Sequence, residues 1–256
     1  MIAYGHVGDH LGSPFIPNQS DAKGAREYFD KCVVIARQII KADPEDRTAR
    51  YDLANALLRQ GAAEVPGGNR AESLAALREA AAILESLSRE DPSAMRYQRP
   101  LALVHQYVGI CLHEMGRLDE AMVELKHGTD IAEATMLAHS GDAPALSRLV
   151  RGEREMASIL ASRGDSAGAF FHAQRCLSIA RKYLEGPEAG LRQRYLGQSF
   201  LSLASVDRTF HKWPEARENA RQAIAYFNAP DVRDVDPADR LQAAAILAES
   251  ATDLRK

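Results

Sequence analysis

Apolar residues recur at intervals of three and four along most of the chain, as in Phe29, Cys32, Val33, Ala36, Ile39 and Ile40. That spacing lines one face of an α-helix. No stretch shows the alternation and β-branched enrichment of a half-buried strand. Helix-breaking residues punctuate the pattern at Asp43-Pro44, Pro66-Gly67-Gly68, Asp91-Pro92, Gly116, Gly141, Gly164, Gly186-Pro187, Trp213-Pro214 and Pro230. The segments between them predict helices near 2–12, 20–42, 46–64, 69–90, 93–115, 118–138, 143–163, 166–185, 189–211, 214–228 and 237–254. The chain reads as all-α.

The helices repeat in pairs. Ala25, Ser73, Ala121 and Ala169 stand 48 residues apart each time, and Ala216 follows 47 later. Gly61, Gly109, Ala157 and Ala204 lie 12 residues before the last four, and Gly8 completes the set if five extra residues sit in the segment 13–20. Cys32, Ala80, Gly128, Cys176 and Ala223 lie seven residues after all five. Small residues at fixed phases let two antiparallel helices approach to the short end of the usual 8–10 Å. Larger residues fill the seams: Tyr4, Leu57, His105 and Phe200 four before the first-helix site, and Phe29, Leu77 and Leu125 four after the second-helix site. Gln60, Glu64, Glu153 and Asp207 break the apolar phase, so repeats 2, 4 and 5 are expected to pack less regularly.

This pattern resembles the tetratricopeptide repeat, W-x2-L-G-x2-Y followed by G, A-x3-F-x2-A and P. The first repeat reads Tyr4-x2-Val7-Gly8-x2-Leu11, and the third His105-x2-Val108-Gly109-x2-Leu112 with Gly116, Ala121, Leu125 and Gly128. The period departs from the family's roughly 34 residues by about two helical turns per helix. The string from Tyr4 to Gly61 also resembles the long tetratricopeptide array that follows the catalytic domain of many bacterial serine/threonine kinases. A kinase's own Gly-rich loop, HRD and DFG motifs are absent from these residues. The resemblance implies an all-α, right-handed α-solenoid of about five hairpins over 1–228. A linker and C-terminal capping helix over 229–256 would complete one continuous domain.

Composition narrows the function. The chain has 256 residues, 43 of them Ala, with 46% apolar and 6% aromatic residues and a net charge of −3. That excludes disorder and collagen, and it lacks the basic excess of a nucleic-acid binder. Cys32, Cys111 and Cys176 are too few for a disulfide framework and fit a reducing compartment. The first residues lack the basic and apolar regions of a signal peptide, and apolar runs such as Leu101-Ala-Leu-Val104 fall far short of a membrane span. A cytoplasmic protein is expected, with no membrane and no nucleic-acid partner.

Candidate chemistry is sparse. His6 and His10 share a helical face, but no third metal ligand follows by local spacing, and Cys111-x-His113 is too short a signal. Cys32 and Cys176 occupy the small seam phase, where a thiol is buried and inert. Glu153 and Glu155 read as a solvated face. No nucleophile–base pair is indicated, so no catalytic residue, cofactor or metal is expected.

The resemblance implies instead that each repeat's first helix lines a groove for an extended peptide or partner helix. Its groove residues map to Asn55 and Leu58 in repeat 2, and to Leu103, Gln106, Ile110 and His113 in repeat 3. Repeat 4 supplies Arg151, Arg154 and Ser158, and repeat 5 supplies Gln198, Leu201, Ser205 and Arg208. The three arginines suit an acidic or phosphorylated partner, unless they are solvated or paired with Glu153 and Glu155. The Asn of the family's chaperone-tail clamp is missing, since Asp9, Ala62, Ile110, Ser158 and Ser205 stand at its phase. A non-catalytic interaction module is the favoured reading, and a homodimerisation arm the alternative. The first helix is short beside the others and carries an apolar stripe of Ile2, Tyr4, Val7 and Leu11. A piece of a longer protein, such as a kinase, is expected from that.

Overall fold

The structure is a computed structural model that describes residues 2–12, 21–64, 69–139, 141–182, 189–233 and 235–253. Among the described residues lie eleven α-helices and no strand. They are α1 (Ile2–Gly12), α2 (Ala22–Ala42), α3 (Arg47–Glu64), α4 (Arg70–Glu90), α5 (Met95–Glu114), α6 (Leu118–Ala138), α7 (Ala143–Ser162), α8 (Ser166–Lys182), α9 (Ala189–Thr209), α10 (Trp213–Phe227) and α11 (Pro237–Asp253). The fold is an all-α solenoid of helical hairpins.

Local chemistry sets the helix ends. The Asp21 carboxylate accepts from Gly24 N at 2.9 Å to open α2, and Asp142 accepts from Ala145 N at 2.9 Å to open α7. The turns inside hairpins 3, 4 and 5 share one closure, in which the amides of Arg117, Asp165 and Lys212 donate to the carbonyls of Leu112, Leu160 and Asp207 at 2.9 Å. The residue before each amide is left-handed: Gly116 at φ +73°, Gly164 at +76° and His211 at +57°. A side chain in that region is strained where glycine is not. His211→Gly should therefore stabilise the protein by about 0.5–1 kcal/mol. Thermal unfolding of this variant at or below the wild-type midpoint would contradict the assignment.

The chain divides into two compact units, residues 1–131 and 132–256. In the first, α1/α2, α3/α4 and α5/α6 form hairpins, with α2 on α3, α4 on α5 and α3 beside α5. In the second, α7/α8 and α9/α10 form hairpins, α7 lies beside α9, and α11 packs on α9 and α10. The small seam residues are buried throughout, with Ala25, Ala80, Ala121, Ala157, Ala169, Ala204, Ala216 and Ala223 all fully covered. A Cβ at Gly61 would sit 2.6 Å from Leu77 Cγ, so glycine there permits the close approach of α3 to α4. Exposed arginines link residues one repeat apart, as in Arg26–Glu72, Arg37–Glu79 and Arg208–Glu249. Such solvent-screened pairs contribute little to stability.

Three of the polar residues at apolar phases have partners in the structure. Gln60 donates to Asp30 Oδ1, and Asp207 accepts from Asn219 Nδ2 at 2.7 Å. Glu153, 1% exposed, binds His172 Nδ1 at 2.8 Å and Arg175 Nε at 3.1 Å. The side chain of Glu64 lies outside the described residues. Gln60, Glu153 and Asp207 are thus each met by a partner on a neighbouring helix, which sequence phase alone did not show.

Burial pushes the Asp207 carboxyl above its ordinary range, against the lowering effect of the Asn219 hydrogen bond. A raised folded-state value means that stability falls as pH rises above about 3.9, where the unfolded chain ionises first. Asp207→Asn keeps an acceptor for Asn219 and removes the buried charge. Urea unfolding should show it more stable than wild type at pH 7, with the difference vanishing near pH 3. A pH-independent difference would contradict the burial argument.

Candidate partner-binding groove

The thirteen predicted groove residues fall into four registers relative to the small first-helix site, and the registers differ in exposure. Asn55, Leu103, Arg151 and Gln198, six before that site, are all half-buried. Ile110, Ser158 and Ser205, one after it, are half-buried or exposed, as are His113 and Arg208, four after it. Leu58, Gln106 and Leu201, three before it, are buried, and only the long Arg154 reaches outward from that register. Gln106 and Leu58 are therefore packed into the core. Gln106 turns toward its hairpin partner, its Cγ 3.2 Å from where a Cβ at Gly128 would sit.

In the first unit, Asn55 borders a cavity of about 240 Å³ together with His6, Asp9, Asp52 and Arg59. Its amide donates to the Tyr51 carbonyl at 3.0 Å, and Arg59 Nε holds Asp9 at 2.9 Å. Burial raises the Asp52 carboxyl, aided by the nearby Asp46 charge. Sequence reading missed the Asp9–Arg59 pair, which joins residues 50 apart.

The second unit holds the larger opening. A cavity of about 450 Å³ is lined by Arg154, Ser158, Leu201, Ser205 and Arg208, with Gln242 of α11 at its edge. All five named first are predicted groove residues. Glu153 is taken by His172 and Arg175 and does not pair with Arg154. Arg154 Nη2 instead donates to Asp239 Oδ1 at 2.9 Å, and Gln198 Nε2 to Asp239 Oδ2 at 2.9 Å. Gln242 Nε2 donates to Ser205 Oγ at 3.0 Å, and Arg208 Nη1 lies 3.4 Å from Glu249 Oε1. Burial works against the Arg154 charge, and the adjoining Asp239 carboxylate more than offsets it, holding the guanidinium above its ordinary range.

The closing helix was expected to be a solvating cap, and it is more than that. Ala243 and Ile246 are fully buried against Leu201, Ala220 and Phe227, while Asp239, Gln242 and Glu249 flank that stripe. The signal was present in the sequence: positions 239, 242, 243, 246, 249 and 250 recur at three, four and seven on one helical face.

The cysteines are structural. Cys176 Sγ lies 3.1 Å from Ser199 Oγ and burial pushes its thiol up to about 11, while Cys111 Sγ donates to the Arg70 carbonyl at 3.3 Å. Burial likewise raises Cys32. Among the described residues no group of three or more His, Cys, Asp or Glu is placed to hold a metal ion. Nor is any helix there long and apolar enough to cross a membrane.

Fold and groove together define a helical-repeat protein. Its structure is similar to the crystal structure of BtubC (BKLC) from P. vanneervenii, with a TM-score of 0.65 and 17% identity over 91% of this chain and 85% of that one. Yeast Tom70 superposes at a TM-score of only 0.27, with 14% identity over 98% of this chain and 63% of that one. The BtubC likeness is one of fold. The sequence matches no known family model and no functionally curated protein.

Proposed function

We propose that this chain is a non-catalytic protein-interaction module that takes a peptide or partner-protein segment along α7 and α9. The observation that carries this reading is the convergence of five phase-selected residues on one open cavity of about 450 Å³. Its lining mixes two guanidiniums, the Glu155 carboxylate, several hydroxyls and a few apolar side chains, a surface suited to orienting a polypeptide by side-chain hydrogen bonds. The resemblance to kinase-borne arrays supports a regulatory region of a larger, cytoplasmic protein such as a bacterial serine/threonine kinase. Cavity filling tests the groove. Ser158 is exposed on α7, so Ser158→Trp should leave the helical circular-dichroism spectrum intact while obstructing the cavity. Twelve-residue peptides selected from a random display library on the immobilised chain should lose affinity for it about tenfold, roughly 1.4 kcal/mol. Unchanged affinity would place the binding surface elsewhere.

A homodimerisation arm is the second reading, favoured by one observation: Tyr4 and Val7 of α1 are 41% and 40% exposed on the same helix. Sedimentation at several concentrations separates the two, since dimerisation through α1 should weaken in Tyr4→Ser/Val7→Ser.

A further inference from the structure

Three polar side chains of α11 occupy the groove residues that sequence phase selected for a partner. Asp239 is held jointly by Arg154 of α7 and Gln198 of α9, Gln242 by Ser205, and Glu249 by Arg208. Asp239 bridges two first helices at once, across 85 residues of chain to Arg154 and 41 to Gln198. Between these contacts Ala243 and Ile246 press on Leu201 and Phe227. The opposite face of α11 carries Leu241, 71% exposed, with exposed Ala244 and Ala248. The helix is thus anchored from one side, by an acid–amide–acid edge beside a narrow apolar stripe.

We infer that the α7/α9 surface is a receptor for an acidic amphipathic helix, and that α11 is its resident, displaceable occupant. The pattern to be read is Asp at i, Gln at i+3, small and branched apolar residues at i+4 and i+7, and Glu at i+10, the arrangement α11 presents. Charge complementarity selects the partner: two guanidiniums face two carboxylates, and helical spacing aligns them on one edge. The cavity beside Gln242 is open along α7 and α9, so an incoming helix has free surface to meet next to α11. Occupation by α11 scales the apparent affinity for any partner by the fraction of time that the site is open. The inference rests on the groove reading above and adds to it the occupant.

A fluorescein-labelled synthetic peptide of residues 236–253 is the probe, read by anisotropy against the full chain. The variant Asp239→Asn/Glu249→Gln weakens the resident helix and should bind the wild-type peptide about tenfold more tightly than the unaltered chain does. A peptide carrying the same two changes should bind that variant about tenfold more weakly than the wild-type peptide. Failure of the wild-type peptide to bind, or equal binding of both peptides, overturns the inference. If the double variant does not fold, hydrogen exchange of the unaltered chain decides. Amides of 239–250 should exchange through an opening that leaves α9 and α10 protected, and exchange of α10 and α11 only in one common event overturns the proposal. Loss of library peptides on Ser158→Trp, together with silence of the α11 peptide, would retain the groove and discard its acidic-helix occupant.

Discussion

His172→Ala is expected to cost about 2–3 kcal/mol of stability, and Glu153→Leu/His172→Ala to recover most of it. Glu153 is 1% exposed, and its Oε2 is bonded to His172 Nδ1 at 2.8 Å while Oε1 has only the ion-pair contact of Arg175 Nε at 3.1 Å. Deleting the histidine leaves a buried charge short of a donor, and such truncations cost about 3–5 kcal/mol when the charge is left bare. Arg175 remains at one oxygen and is partly exposed, so the lower figure applies. Repeat 2 carries the apolar alternative, with Leu57 and Ala76 at the same two phases. Replacing a buried ion pair by apolar residues is often neutral or stabilising. Urea unfolding of the two variants checks this, and equal midpoints for the single and double changes would show that Glu153 does not depend on His172.

Gly109→Leu should be as severe by the opposite mechanism, at about 3 kcal/mol. A mere Cβ at this position would stand 2.6 Å from Leu125 Cγ and 3.2 Å from the Ala121 carbonyl, so α5 and α6 must separate to admit a side chain. Ala121→Leu attacks the same seam from the facing helix, where Ala121 is fully buried. Gly5→Ala is the control: nothing lies within 4 Å of its Cβ position, and helix propensity alone should favour the variant by about 0.5–1 kcal/mol. If Gly109→Leu unfolds at the wild-type midpoint, the assignment of the repeat seam fails.

The fold was legible because the hairpin seam imposes a steric rule on particular residues. Gly61, Gly109 and Ala157 are small because a neighbouring helix leaves no room, and that constraint repeats with the helices. The groove was legible only in part. Phase shows which helix face a residue occupies, but not whether a neighbouring helix covers that face. Gln106 and Arg154 share one register, yet Gln106 is sealed against α6 whereas Arg154 extends to Asp239. That pairing depends on where α11 folds back, which no local spacing encodes. The relief of Glu153 and Asp207 was hidden for a similar reason, since His172 and Asn219 are ordinary surface residues until the hairpin closes.

The seam pair of hairpin 4 has a mirror in hairpin 3. There the first helix supplies the histidine and the second the acid, with His105 Nδ1 2.7 Å from Glu124 Oε2, at phases where hairpin 4 has Glu153 and His172. Both pairs span 19 residues and close within their own hairpin. A whole hairpin consequently carries both halves of this bond, while pairs such as His105 Nε2 with Glu85 Oε1 at 3.6 Å tie it to its neighbour. A crossover inside a hairpin would set His105 against His172, or Glu153 against Glu124, and meet a repulsive seam. An exchange at the loops between hairpins would instead keep each histidine with its own acid.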